Sequence, residues 1–209
     1  MATPTPVLSY LALGDSYTIG EGVPADGRWP VQLAHALRGE GIGLGDPRII
    51  ATTGWTTDEL EWGLDAAEPL GEWDFVSLLI GVNNQYRGRS AVAYRGEFHT
   101  LLKRALHYAH DRADRVLVLS IPDWGVTPFT RTTPAKPETI AAELDAFNAA
   151  AREVCVQHGV AFVDITPVSR ERGGEPAMLA EDGLHPSAAM YQEWTALALP
   201  VVRDLLKHA

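Results

Sequence analysis

The chain has 209 residues, 46% of them hydrophobic and 21% charged, the composition of a soluble globular protein able to bury a substantial core. Length and composition point to a single domain spanning residues 1–209. A formal net charge of −10 argues against a broad basic face for nucleic acid or for an anionic membrane surface.

Apolar runs rich in branched residues alternate with amphipathic stretches from end to end. Val7–Leu13 reads as a first buried strand and Pro30–Arg38 as the helix after it. Arg48–Ala51 and Thr57–Ala67 repeat the pattern, and Thr56-Thr57-Asp58-Glu59 forms a capping box at that helix start. Phe75–Ile80 is followed by Val92–His110, Val116–Ser120 by Pro137–His158, and Val160–Ile165 by a last helix from Ser187 to about Lys207. Pro200 predicts a kink or break in that last helix. Alternating βα units predict a parallel sheet of about five strands covered by helices on both faces, a three-layer α/β/α architecture. The lone cysteine, Cys155, falls in a helical stretch and reads as a buried, inert thiol. No basic, cleavable leader opens the chain and no run is long enough to span a bilayer, so the expected location is the cytoplasm.

In an open parallel sheet, ligands bind beyond the carboxyl ends of the strands. Five chemically notable segments fall there. Gly14-Asp15-Ser16-Tyr17 follows the first strand, Gly54 the second and Asn83 the third. Asp123-Trp124 follows the fourth, and Asp182-Gly183-Leu184-His185-Pro186 lies beyond the fifth. A serine hydroxyl needs a neighbouring base to become a useful nucleophile. Ser16 is the candidate nucleophile and His185 the candidate base, with Asp182 positioned to orient the imidazole in a compact turn. Pro186 disfavours helical geometry at His185 and keeps it in the turn. Glu181 and Asp164 are alternative carboxylates, while Asp15 is better suited to shaping the serine loop. The other histidines, His35, His99, His107, His110, His158 and His208, fall in or at the ends of expected helices. Acyl transfer also needs donors for a developing oxyanion, and the backbone N–H groups of Ser16 and Gly54 and the amide of Asn83 are placed to supply them.

These four blocks resemble the SGNH, or GDSL-type, hydrolases. Ser16 in Gly14-Asp15-Ser16, Gly54 in Thr53-Gly54-Trp55-Thr56, Asn83 in Gly81-Val82-Asn83-Asn84, and Asp182 with His185 match in order over nearly the whole chain. The resemblance implies a flavodoxin-like fold and a serine esterase or lipase without a metal or other cofactor. It assigns Ser16, Asp182 and His185 as the triad and Ser16, Gly54 and Asn83 as the oxyanion hole. One departure is Asn84, where the third block usually ends in aspartate. Another is Tyr17, where many members carry leucine.

Trp55, Tyr86, Trp124 and Phe129 lie in loops on the expected site edge and are candidate substrate-binding residues. Arg87 and Arg89 either bind an anionic headgroup or belong to a solvated loop. The expected partner is a small-molecule ester, with short acyl esters and lysophospholipids first and acetylated carbohydrate next; neither nucleic acid nor stable membrane insertion is expected. Two competing readings are a metal-assisted hydrolase using Asp15, Asp182 and His185, and a catalytically silent flavodoxin-like binding domain.

Overall fold

The computed structural model describes residues 7–207. In chain order its elements are β1 (Tyr10–Gly14), α1 (Ser16–Ile19), α2 (Trp29–Gly39), β2 (Arg48–Ala51) and α3 (Thr57–Ala67). These are followed by β3 (Phe75–Leu79), α4 (Val82–Tyr86), α5 (Ala91–Tyr108), β4 (Val116–Leu119) and α6 (Pro137–His158). The chain continues through β5 (Ala161–Val163), α7 (Thr166–Arg172) and α8 (Ala188–Leu206). All strand pairings in the sheet are parallel, in the order β2-β1-β3-β4-β5. This is the flavodoxin-like order, which reverses between β1 and β3 and opens a crevice there. Helices α2 and α8 pack against each other, while α3, α5 and α6 pack in series, forming the outer layers of the expected α/β/α fold.

The edge strands β2 and β5 are buried only in part, while the central strands β1, β3 and β4 are buried on both faces along their whole lengths. That is why they read as continuous apolar runs rather than as alternating ones. The first strand begins later than expected. Ser9 gives its N–H and hydroxyl to the Asp74 carboxylate, at 2.7 and 2.8 Å, and Leu8 makes only an isolated bridge to Leu44. The last strand is shorter than expected because Ile165 and Thr166 turn their N–H groups to the Ser120 hydroxyl, which opens α7.

Pro200 neither breaks nor ends α8, which runs through it. Proline inside a helix costs about 3 kcal/mol. Trp194, Ala198, Val202 and Leu206 are buried on either side of it, and each large apolar side chain returns roughly 1.5–3 kcal/mol. Three helices were not legible beforehand, namely α1, α4 and α7. They have four, five and seven residues, too few to display a 3.6-residue period. Two of these short helices carry the site.

Candidate active site

Ser16 opens α1 immediately after β1. Asp15 is the N-cap, and its Oδ1 accepts from the Tyr17 N–H at 3.0 Å. Ser16 is buried at the bottom of a cleft of about 210 Å³, which it shares with Gly54, Asn83 and His185. The topology thus brings all four separated blocks to one edge.

Gly54 lies in a tight turn after β2, closed by the Trp55 N–H donating to the Thr52 carbonyl at 3.2 Å. Its φ is +87°, a conformation that glycine adopts without the strain any side chain would add. Asn83 is the second residue of α4. Its Nδ2 donates to the Trp55 carbonyl at 2.8 Å, leaving the second N–H of the same amide for another acceptor.

Asp182 and His185 form the expected compact turn. Asp182 Oδ1 accepts from the backbone N–H groups of Leu184 and His185, each at 2.9 Å, while Oδ2 lies 2.5 Å from His185 Nδ1. Gly183, at φ +67°, allows the chain to reverse between them. Burial opposes ionisation of Asp182, but the hydrogen bonds from the His185 ring and the two backbone N–H groups outweigh it and hold the carboxyl below its usual value. With Nδ1 engaged, Nε2 is the ring atom left for proton transfer. Asp164 goes instead to Ser120 and Arg152, which removes it as the partner of His185. His99 and His158 bond each other and His110 meets Glu72, whereas His208 lies outside the described residues.

The cleft walls are largely apolar, formed by Val82, Tyr86, Trp124, Phe129 and Leu184, with Tyr17 and Thr53 completing the lining. Trp124 packs edge-on between Tyr86 and Phe129, with ring centroids 5.5 and 6.1 Å away, and its Nε1 is anchored on Gln85 Oε1 at 2.8 Å. Trp55 does not line the cleft. Its indole lies over Gly63 of α3, where a Cβ would collide with it. Tyr17, Thr53, Val82 and Leu184 were not anticipated as lining residues, and only their adjacency to the motif residues hinted at it.

Arg87 and Arg89 are not free to receive an anionic headgroup. Arg87 bonds the Gly54 carbonyl and Glu59, and Arg89 is held by Asp58 and Glu97. Asn84, the departure in the third block, is fully buried. It accepts from the Thr57 N–H at 3.1 Å and donates to the Thr57 hydroxyl at 2.6 Å and to Glu97 at 3.0 Å. Glu97 of α5 thus places a carboxylate directly beside the Asn84 amide. Among the described residues, no group of three or more His, Cys, Asp or Glu side chains is arranged to hold a metal ion. No helix among them is long and apolar enough to cross a membrane.

The sequence pattern of the GDSL-like lipase/acylhydrolase family matches residues 12–193. No curated protein matches the chain by sequence. Among solved structures, TesA superposes with a TM-score of 0.74 at 20% identity, covering 95% of this chain and 99% of its own. A lipase/acylhydrolase from Enterococcus faecalis gives 0.74 at 20% identity, covering 96% and 98%. An acetyl-xylooligosaccharide esterase from Geobacillus stearmophilus gives 0.69 at 17%, covering 96% of each chain. At these identities the superpositions speak for the shared fold.

Proposed function

The chain belongs to the GDSL-like lipase/acylhydrolase family, and from that premise we propose that it hydrolyses neutral, short-chain carboxylic esters through an acyl-enzyme on Ser16. Ser16 Oγ attacks the ester carbonyl while His185 Nε2 takes the hydroxyl proton, and Asp182 stabilises the resulting imidazolium. The oxyanion accepts hydrogen bonds from the Ser16 and Gly54 N–H groups and from the amide N–H of Asn83 that Trp55 does not occupy. Collapse of the tetrahedral intermediate breaks the C–O bond, and the departing alkoxide takes the proton from His185. Water then attacks the acyl carbon, giving its proton to His185, and the released Ser16 alkoxide recovers that proton.

The observation that carries this reading is that His185, held by Asp182, shares one apolar cleft with Ser16, Gly54 and Asn83. The substrate class follows from the lining. Among the described residues no Asp, Glu, Lys or Arg side chain lines the cleft, and both nearby arginines are ion-paired, which favours a neutral ester over a lysophospholipid headgroup. A second reading is a carbohydrate O-acetyl esterase. Tyr86 is 54% exposed at the rim, a face on which a sugar ring can stack, and one structural neighbour acts on acetylated xylooligosaccharides.

The test compares kcat/KM of the wild type and Ser16→Ala on p-nitrophenyl acetate and butyrate, acetylated xylooligosaccharides and lysophosphatidylcholine. The expected result is preference for the small neutral esters and loss of turnover by roughly 10³-fold or more in the variant. Undiminished turnover by Ser16→Ala, or a preference for the lysophospholipid, would overturn the reading.

A further inference from the structure

We infer that Arg87 is a positioning residue for the oxyanion site, acting with Asn83 as the second of two clamps on the Gly54 turn. This rests on the reading above that the Gly54 N–H is an oxyanion donor.

The Thr52–Trp55 turn carries that N–H. Gly54 has open space around its missing Cβ, so no side-chain packing fixes its orientation. Hydrogen bonds do so instead, one from α4 and one from the residue that caps its C-terminal end. Asn83 Nδ2 donates to the Trp55 carbonyl at 2.8 Å, and Arg87 Nη2 donates to the Gly54 carbonyl at 2.7 Å. Residues 83 and 87 are four apart and therefore share one face of the chain as it leaves α4. The turn is also tied at Thr53, whose hydroxyl donates to Glu21, and at Trp55, whose indole lies over Gly63. The Arg87 bond adds a restraint on the Gly54 carbonyl itself.

Arg87 is itself held. Its Nη1 donates to Glu59 Oε1 at 3.1 Å, and Glu59 Oε2 accepts from the Thr56 N–H at 2.8 Å. The guanidinium therefore braces the turn against the first residues of α3 as well as against α4. A planar fork with several fixed N–H groups suits bonding a carbonyl and a carboxylate at once, since its donor directions are set in advance. Holding the Gly54 and Trp55 carbonyls restricts the turn that carries the Gly54 N–H and keeps that turn in register with Asn83. Such registration matters only when the substrate oxygen gains charge, so its loss should appear in kcat rather than in KM.

The experiment measures kcat, KM and the affinity of a trifluoromethyl ketone, whose hydroxyl-bearing adduct mimics the tetrahedral intermediate, for the wild type, Arg87→Ala and Arg87→Lys. In Arg87→Ala, kcat should fall by about 100-fold, the cost of a misplacement of about 1 Å, with KM changed less than about threefold. Ketone affinity should fall in step with kcat/KM, and Arg87→Lys should lie between the other two. A kcat in Arg87→Ala within about twofold of the wild type overturns the inference, as does a loss confined to KM. If Ser16→Ala is inactive while Arg87→Ala is unimpaired, this inference fails and the serine mechanism stands; if Ser16→Ala remains active, the underlying reading has failed.

Discussion

Asp15 offers a test in which stability, rather than activity, reports on the Ser16 loop. The side chain is fully buried and its Oδ2 has no hydrogen-bond partner. Burial pushes its pKa from 3.8 to about 7, against a smaller opposing pull from the Tyr17 N–H. An acid with a raised folded-state pKa binds its proton more tightly in the fold than in the unfolded chain. Its favourable contribution is therefore complete below pH ~4 and is lost as pH rises toward the folded value of about 7. At about 1.4 kcal/mol per unit, a gap of roughly three units amounts to about 4 kcal/mol. Asp15→Asn keeps an acceptor for the Tyr17 N–H but cannot ionise. Urea denaturation of both proteins from pH 4 to pH 8 should show the variant gaining about 4 kcal/mol on the wild type across that range. Any cost of the new amide N–H groups is independent of pH and shifts the whole curve without changing its slope. A stability difference that stays constant with pH would refute the argument.

Two further outcomes follow from the same structure. Asn84→Asp places a second carboxylate about 3.0 Å from Glu97 and removes the donor that Glu97 uses, so it should destabilise the protein by about 1–3 kcal/mol in urea. Adding Glu97→Gln should restore most of that loss, because the new amide can donate to the aspartate. Cys155 is buried and its thiol is pushed up to about 12, chiefly by burial. A thiol-disulfide reagent at pH 8 should therefore modify the native protein at the rate of unfolding, and modification within seconds would contradict this.

The sheet and its long helices were legible because local signals agreed with the tertiary result. Arg48–Ala51, Thr57–Ala67 and Pro137–His158 have the expected ends, the second helped by Glu59 capping Thr56 and the third by Gly159 in the left-handed conformation. The turn from Asp182 to His185 was legible for a similar reason, since the bonds by which Asp182 holds His185 are local. What stayed hidden depends on contacts distant in sequence. Whether a loop tryptophan faces the cleft is decided by where the chain sends its ring. Trp55 goes to Gly63, whereas Trp124 is fixed in the wall by Gln85. The partner of Asn84 sits thirteen residues away on α5, with no motif connecting them. Arg87 reads in sequence as a headgroup ligand or a solvated loop residue, and only the fold brings the Gly54 carbonyl beside its guanidinium.

The most direct measurement of the central proposal is covalent trapping. Wild-type protein treated with a p-nitrophenyl alkylphosphonate should gain one phosphonyl group, with release of p-nitrophenol, and peptide mapping should place it on Ser16. His185→Ala should label far more slowly, because the hydroxyl then has no base. An adduct on any other residue, or full esterase turnover with Ser16 unmodified, would contradict the account.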